Sequence, residues 1–255
     1  MDLNLNIMNK KNIVILTGAG IDAESGVPTF RDSNGLWENY KIEDVASPRG
    51  WIKNPELVLE FYNQRRRQMA TAEPNEGHRQ LLRLNEKFNV NIITQNISDL
   101  QERAGSTNVL HIHGEITKAR GVMYDHKSSP ADSVVDIGYN DIKIGDLCEV
   151  NNTQLRPHIV WFGEPVPELA NAEMIAMKAD IFIIIGTSLN VYPAAGLMRI
   201  TKTMTPIYVI DPGEVVMDNL LARKDHVHFI RKPASTGVKE LVDMLLAEEE
   251  VESEG

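Results

Sequence analysis

Side chains able to bind ligands and move protons are concentrated in residues 90–116, VNIITQNISDLQERAGSTNVLHIHGEI. Gln95 and Asn96 follow the apolar run VNIIT directly, and a second apolar run carries His111 and His113 just before a glycine. Ordinary core strands do not end this way, so the stretch indicates a functional site. A histidine here is a candidate general base near neutral pH, because the pKa of imidazole is about 6.5. Alternation places both histidines on one face of a strand, so periodicity does not choose between them.

A glycine-rich segment, TGAGIDAESG, follows the first apolar run, NIVILT. Gly18, Gly20 and Ala23 give the spacing GxGxxA, in which small residues let a pyrophosphate approach the backbone at a helix N-terminus. A tight strand-to-helix turn without a ligand is the alternative, but the position after the first strand favours a dinucleotide. Arg31, further along, is either placed to meet a phosphate or a substrate carboxylate, or a surface arginine.

A dehydrogenase would show a second strand about 20 residues after the glycine loop, ending in an acidic residue. The chain has PTFRDSNGLWENY there, which predicts a loop. Hydride transfer is therefore disfavoured.

Short apolar runs alternate with helical spacing along the chain. The runs that predict strands are 12–17, 90–94, 109–112, 180–186, 206–210 and 226–230. Helical spacing covers 55–70, 75–87, 167–178, 193–203 and 236–247. This alternation predicts an α/β fold with a Rossmann-like, doubly wound parallel sheet that binds ligands at the carboxyl ends of its strands.

Two regions, residues 18–51 and 118–155, break this alternation, and the second has only VVDIGY and IKIG as strand-like pieces. We read them as insertions that form a small domain within one catalytic domain over residues 1–255. The Rossmann-like part is expected at about residues 10–30, 75–112 and 165–248. The insertions are expected at about residues 31–74 and 115–158.

Composition limits the partners and the compartment. A net charge of −10 and a pI near 5.2 argue against nucleic acid or an anionic membrane as partner. Cys148 is the single cysteine, which excludes an intramolecular disulfide and suits a reducing compartment. The N-terminal segment has no apolar signal region, and no run reaches membrane-spanning length. We expect a cytoplasmic monomer.

Five motifs, in order, carry a resemblance to a known family: GAGIDAESGVPTFRDSNGLW, TQNISDLQERAG, HIHGEI, LRPHIVWFGE and GTSLNVYPAAG. The chain resembles the sirtuins, NAD-dependent protein-lysine deacylases, over about residues 12–245. The resemblance implies a Rossmann-like domain with a small domain, NAD as cofactor, and acyl-lysine proteins or peptides as substrates. Nicotinamide, deacylated lysine and O-acyl-ADP-ribose are the implied products.

The resemblance also assigns roles to individual positions. Those assigned to NAD are Gly18, Ala19, Gly20, Asp22, Ala23, Thr29, Phe30, Arg31, Gln95, Asn96, Ser98, Gly186, Thr187, Ser188, Asp211 and Ala234. In the family the histidine directly before the glycine is the base, which selects His113, with Asn96 as the second catalytic residue. The segment assigned to the substrate backbone, as an added strand, is Val160, Trp161, Phe162, Gly163 and Glu164.

A YxxR pair, Tyr62 and Arg65, matches the family members that remove succinyl and malonyl groups, and Ala46 matches the small residue that opens their acyl pocket. Residues three apart are neighbours on a helix face, so Arg65 can hold an acyl carboxylate bidentately while Tyr62 donates a further hydrogen bond. The alternative is an exposed basic helix, since Arg66 and Arg67 follow. We predict desuccinylation and demalonylation alongside deacetylation.

The chain departs from the family at a metal site. Sirtuins usually bind a structural zinc with two CxxC pairs, but here only Cys148 remains and Asn151 stands at its partner position. His126, Asp125 and Asp146 have no spacing typical of zinc ligands, and one thiolate does not build a tetrahedral site. We predict no metal ligands and no structural zinc, with 118–155 held by its own apolar side chains or strands.

Further departures lie near the expected NAD site. Ser98 stands where the family has an aspartate near the nicotinamide carboxamide, Asp22 where serine is common, and Gln101 where histidine is common. Ser98 removes an acceptor charge, and Asp22 adds one near a pyrophosphate, which is unfavourable unless compensated. These changes bear on turnover and NAD affinity more than on fold.

Three other functions compete with the deacylase interpretation. An NAD glycohydrolase or ADP-ribosyltransferase is favoured if the changes at positions 22 and 98 redirect the reactive ribose. A catalytically impaired protein that binds NAD or acyl-lysine is disfavoured by the retained Asn96, His113 and Arg31. A dehydrogenase ranks last.

Overall fold

The computed structural model describes residues 10–28, 36–37, 40–122, 133–187, 189, 193–213, 215 and 226–254. Its largest sheet has six strands, all parallel: β1 Asn12–Thr17, β4 Asn89–Thr94, β5 Val109–His111, β9 Ile181–Ile185, β10 Ile207–Ile210 and β11 Val227–Ile230. The strand order is β11-β10-β9-β1-β4-β5, so the chain winds outward in both directions from β1. All six strands lie where the apolar runs predict them, and the α/β prediction is confirmed.

The sheet is covered on both faces, which explains why its strands read as continuous apolar runs. Alternate residues of β1 enter different cores: Ile13 and Ile15 pack on one face, and Val14 and Leu16 on the other. Burial of apolar surface stabilises the fold by about 25 cal/mol for each Å² removed from water. The well-packed centre of the sheet therefore supports the loops at its carboxyl edge.

The helices of the structure are α1 Ala19–Asp22, α2 Ile42–Val45, α3 Pro48–Lys53, α4 Pro55–Thr71, α5 Glu76–Leu81, α6 Leu100–Ala104, α7 Leu169–Ala176 and α8 Ala234–Glu254. Short 3-10 helices lie at Ala23–Ser25, Leu82–Glu86 and Ala194–Arg199. Helix α4 begins as its sequence indicates, because Asn54 Oδ1 accepts the N–H of Leu57 at 3.0 Å and Pro55 occupies the first turn.

Three helix predictions need correction. The helix expected over 75–87 is α-helical only over Glu76–Leu81 and continues as the 3-10 helix Leu82–Glu86. The α-helix expected over 193–203 is a 3-10 helix that ends at Arg199, because Gly196, Thr201 and Thr203 have low helix propensity. The helix expected over 236–247 extends to Glu254. Its Ala- and Glu-rich end is a strong helix former, and Lys11 Nζ lies 2.8 Å from Glu249 Oε2.

A second sheet is antiparallel, with β7 Val134–Asp136 and β8 Leu155–Ile159 flanking β6 Gly114–Gly121. Strands β2 Leu36–Trp37 and β3 Tyr40–Lys41 form a separate pair. A third apolar core lies between α4 and the antiparallel sheet and combines side chains from both predicted insertions, among them Val58, Phe61, Ile116 and Ile142.

The expected strand IKIG is wrong: residues 142–145 form a loop that ends in a turn. Asn63 of α4 donates through Nδ2 to the oxygen of Ile142 at 2.9 Å and accepts the N–H of Ile142 at 3.0 Å. One side chain therefore satisfies the backbone groups that a strand ladder would need. Over the described part of the chain, no helix combines the length and apolar character of a membrane span.

Candidate active site

The carboxyl ends of β1, β4 and β9 meet at one edge of the parallel sheet. The N–H of Gly20 donates to the oxygen of Gly186 at 2.8 Å, and Gly186 has a φ of +62°. A Cβ at Gly20 would lie 2.6 Å from the Cα of Gly186, so neither loop has room for a side chain. The glycine spacing thus serves the packing of the two loops, and dinucleotide binding at this loop stays a prediction.

Gln95 and Asn96 tie the end of β4 to these loops. Gln95 Nε2 donates to Thr187 Oγ1 at 3.2 Å, and Asn96 Nδ2 donates to the oxygen of Gly18 at 3.0 Å. The amides therefore lie between the two loops that come from β1 and β9, at the mouths of three adjacent strands.

His113 lies against the same segment. Its Nδ1 is 3.1 Å from the main-chain oxygen of Gln95. A carbonyl only accepts, so Nδ1 carries the proton and Nε2 keeps its lone pair. Burial lowers the pKa of His113, and the bond to Gln95 opposes this only in part. The ring is therefore neutral near pH 7 and is fit to accept a proton.

His111 differs from His113, because His111 ends β5 and His113 lies two residues beyond that strand. The Nδ1 of His111 contacts the oxygen of Asn96 at 3.0 Å and its Nε2 contacts Glu102 Oε1 at 2.8 Å. Burial lowers the pKa of His111, but the hydrogen bond and charge of Glu102 outweigh it, so the pKa is raised. Both ring nitrogens face acceptors, which leaves no lone pair for catalysis. The geometry thus separates two histidines that periodicity left equivalent, and it favours His113.

A single cavity of about 620 Å³ joins these groups, within the range of small-molecule sites. The residues assigned from sequence that line it are Gly18, Ala19, Gly20, Asp22, Ala23, Ala46, Tyr62, Arg65, Gln95, Asn96, Ser98, His113, Val160, Trp161, Phe162, Gly163, Glu164, Gly186, Thr187, Asp211 and Ala234. Thr29, Phe30, Arg31 and Ser188 lie outside the described residues. The cavity runs along the glycine loop past the neutral base, so its shape and chemistry fit NAD.

Several residues of the cavity wall were not predicted from the sequence. Gln68 and Met69 line it one helical turn beyond Arg65. Their spacing from Arg65 on α4 is the signal that would have found them, since residues three and four apart share a helix face.

Tyr62, Arg65 and Ala46 come together along the cavity. Arg65 Nη1 donates to the oxygen of Phe61 at 2.7 Å, and its guanidinium carbon lies 3.4 Å from the centre of the Phe61 ring. The hydroxyl of Tyr62 accepts from Trp161 Nε1 at 3.1 Å, and burial raises the pKa of this tyrosine. Tyr62 therefore stays protonated, and Arg65 is a buried cation rather than part of an exposed basic face.

Residues 160–164 differ in form from the expected strand edge. β8 ends at Ile159 and residues 162–164 turn, while the N–H of Val160 donates to the oxygen of His113 at 2.9 Å. Glu164 fixes the turn: its oxygens accept from Arg156 at 2.7 and 3.2 Å and from the N–H of Trp161 at 2.8 Å. The N–H groups of Val160 and Trp161 therefore already have acceptors within the chain.

Asp22 and Ser98, both singled out as departures from the family, contact each other. Ser98 Oγ donates to Asp22 Oδ2 at 2.7 Å, and His78 Nε2 lies 3.1 Å from Asp22 Oδ1. The N–H of Asn75 donates to His78 Nδ1, so Nε2 carries the proton and donates to the carboxylate. All three side chains are buried. The charge on Asp22 is thus compensated by two donors, and His78 is a site residue that sequence analysis missed.

Cys148 and Asn151 are each engaged in a local structure. Cys148 Sγ donates to the oxygen of Ser133 at 3.7 Å, and Asn151 Oδ1 accepts from Thr153 Oγ1 at 2.7 Å. Asp125 and His126 lie outside the described residues, and Asp146 Oδ2 accepts the N–H of Lys143 at 2.7 Å. Within the described ranges no three His, Cys, Asp or Glu side chains group as metal ligands.

Comparison with known proteins finds relatives over most of the chain. A relative from Bacteroides thetaiotaomicron named NAD-dependent protein deacylase is 48% identical over 236 residues, covering 92% of this chain and 98% of its own. A relative of the same name from Helicobacter pylori is 52% identical over 202 residues, covering 79% of this chain and 85% of its own. The crystal structure of a Sir2 homologue–NAD complex has a TM-score of 0.79 at 36% identity, covering 98% of this chain and 95% of that one.

The model of the Sir2 family matches residues 18–193, which span the glycine loop, His113 and the end of β9. Together with relatives of nearly full coverage, this match shows that the chain belongs to the Sir2 family.

Proposed function

We propose that the protein is an NAD-dependent protein-lysine deacylase that removes acetyl groups and the acidic succinyl and malonyl groups. The observation that carries the proposal is the joint placement of His113, Tyr62 and Arg65 on one cavity. A neutral base at one point of a cavity and a buried cation at another suit a ligand that is both reactive and anionic.

His113 is the residue that moves a proton. Its Nδ1–H is held by Gln95 and the residue lines the cavity, so Nε2 is the nitrogen left to accept the proton of a ribose hydroxyl. NAD, when bound, supplies the ribose that takes up the acyl group and the nicotinamide that leaves. Asn96 holds the glycine loop against β4 and so orients this end of the site.

The other assigned residues bind rather than react. Gly18, Gly20 and Gly186 let a phosphate chain approach the backbone, while Thr187, Asp211 and Ala234 line the cavity by β9 and β10, where we place the adenosine. Thr29, Phe30, Arg31 and Ser188 keep the NAD-binding roles that the family resemblance gives them.

The buried positive charge of Arg65 supports a pocket for an acyl group that ends in a carboxylate. Arg65 is 4% exposed, and an anion in a desolvated site gains more from such a cation than it would in water. Tyr62 is a protonated donor one helical turn away. Ala46 is small and buried beside them, which leaves room for an acyl chain longer than acetyl.

We place the lysine of a protein or peptide substrate along residues 160–164, with Phe162 half exposed at the mouth. The negative net charge disfavours nucleic acid as partner. A monomer in the cytoplasm, without structural zinc, completes the proposal.

The test is incubation of the protein with NAD and matched acetyl-, succinyl- and unmodified-lysine peptides, followed by mass spectrometry of peptide and nucleotide products. Deacylated peptide with O-acyl-ADP-ribose supports the proposal. Nicotinamide release with unchanged peptide indicates a glycohydrolase instead, a mass gain of ADP-ribose on the peptide indicates a transferase, and no turnover indicates a binding protein.

A further inference from the structure

The buried carboxylate of Asp22 has no role in the chemistry above, although it lines the cavity together with Ser98. A carboxylate that is 3% exposed is costly to keep unless it is held by donors and used by a ligand. Ser98 and His78 hold it, each on a different oxygen. Each carboxylate oxygen accepts more than one hydrogen bond, so capacity remains for a donor in the cavity.

The position of Asp22 indicates which end of the ligand it meets. Ser98 follows closely on Gln95, whose main-chain oxygen holds the ring of His113. Asp22 and the base are therefore connected through the short segment 95–98, whereas Asp211 follows β10. The group attached to the ribose that His113 serves is the nicotinamide. Its carboxamide is a primary amide and offers two N–H donors.

We infer that Asp22, held by Ser98 and His78, accepts an N–H of the nicotinamide carboxamide and makes the site selective for an amide over a carboxylic acid at that position. The inference rests on the proposed function. Relative to the family residues at positions 22 and 98, the carboxylate and the hydroxyl are then exchanged between the two positions, which are joined by one 2.7 Å hydrogen bond. The site therefore retains one negatively charged acceptor.

Asp22→Asn is the sharpest variant because it preserves both internal contacts. The asparagine Oδ1 still accepts from His78, and its Nδ2 can donate to Ser98 Oγ, since a hydroxyl also accepts. The second Nδ2 hydrogen replaces the lost acceptor on the cavity side. The wall therefore changes from an acceptor to a donor without a change in size.

The experiment compares NAD with its nicotinic-acid analogue, which carries a carboxylate in place of the carboxamide. We expect the wild type to prefer NAD, and Asp22→Asn to shift the kcat/KM ratio toward the acid by about tenfold to hundredfold, the range for a hydrogen bond to a charged group. Asp211→Asn is the matched control, because it neutralises another buried carboxylate of the same cavity and should leave the ratio unchanged.

Direct binding keeps the test independent of turnover. Nicotinamide and nicotinic acid are titrated by NMR into protein loaded with ADP-ribose, and thermal melting confirms that the variant is folded. If Asp22→Asn does not fold, wild-type protein that binds both compounds equally still overturns the inference. An unchanged ratio in a folded variant, or the same shift in Asp211→Asn, overturns it too. Absence of acyl-peptide turnover in the wild type refutes the proposed function alone, because the binding preference remains measurable.

Discussion

His113 Nδ1 lies 3.1 Å from the main-chain oxygen of Gln95, and this contact decides which ring nitrogen can take a proton. It joins the residue that follows β4 to the second residue beyond β5, so the geometry of the base depends on the pairing of neighbouring strands. The same peptide unit carries the Gln95 side chain, which bonds Thr187. Base and ligand-binding loop are therefore positioned by one backbone segment.

The first prediction concerns the pH dependence of the reaction. Because burial lowers the pKa of His113, its active, neutral form persists below the ordinary imidazole value of 6.5. We expect kcat/KM to be level near neutral pH and to fall only as the pH drops through a value below 6.5. His113→Ala should lower kcat by about 10²–10⁴-fold, the usual contribution of a general base.

Initial rates across the acid and neutral range, with thermal melting at each pH, provide the measurement. An acid limb centred above 6.5 in folded enzyme would contradict the assignment, as would full activity in His113→Ala.

The second prediction uses His111, whose pKa is raised because Glu102 outweighs the effect of burial. A group with a raised folded-state pKa stabilises the protein fully below its unfolded value, and this contribution is lost as the pH rises through the folded value. Urea denaturation should therefore show stability that declines above pH about 6.5. Glu102→Gln should flatten this decline, and an unchanged slope in that variant would contradict the pairing.

Strands and glycine loop were predictable because local pattern determines them: continuous apolar runs mark covered parallel strands, and GxGxxA marks the turn after the first. Contacts between distant segments were not. Asp22 and Ser98 are 76 residues apart, and no single-sequence pattern shows that their side chains meet. The loop at 142–145 was missed for a similar reason, since a side chain of α4 replaces the strand partner. Patterns report what each segment buries, not which polar group on another segment it meets.

The third prediction concerns the ion pair that fixes the 162–164 turn. Burial raises the pKa of Glu164, but the bond to Arg156 outweighs it, so the pKa is lowered. Removing one partner of a mostly buried pair leaves an uncompensated charge, so Glu164→Ala should lower the free energy of unfolding by about 3 kcal/mol. This stabilisation is present above the unfolded value of 4.5 and should be lost as the pH falls through the folded pKa.

Glu60→Ala is the matched control, since Glu60 pairs with Arg67 on the surface. Exposed pairs contribute about 0–1 kcal/mol, so urea denaturation should show little change. Equal losses in the two variants would contradict the role of burial.

The fourth prediction concerns zinc. Cys148 donates its S–H to Ser133, and Asn151 is bonded to Thr153, so neither is arranged as a thiolate pair. We expect elemental analysis of purified protein to find no stoichiometric zinc, and dialysis against a strong chelator to leave Tm and activity unchanged. A structural zinc contributes about 10–16 kcal/mol in small domains, so its removal would produce a large fall in Tm. One tightly held equivalent would refute the prediction.

The fifth prediction separates the acyl pocket from a merely basic helix. Arg65→Met keeps an aliphatic stem against Phe61 but removes the cation that we assign to the acyl carboxylate. Loss of a hydrogen bond to a charged group costs about 1.5–3 kcal/mol, so kcat/KM for succinyl-lysine should fall by about tenfold to hundredfold while that for acetyl-lysine is largely retained. Arg67→Met is the control on the same helix: Arg67 is exposed and pairs with Glu60 and Asp141, so neither substrate should be affected. The measurement is kcat/KM for matched acetyl and succinyl peptides in wild type and both variants. An equal loss on the two peptides in Arg65→Met would assign Arg65 to structure rather than to acyl recognition, because only a contact with the acyl carboxylate distinguishes the substrates.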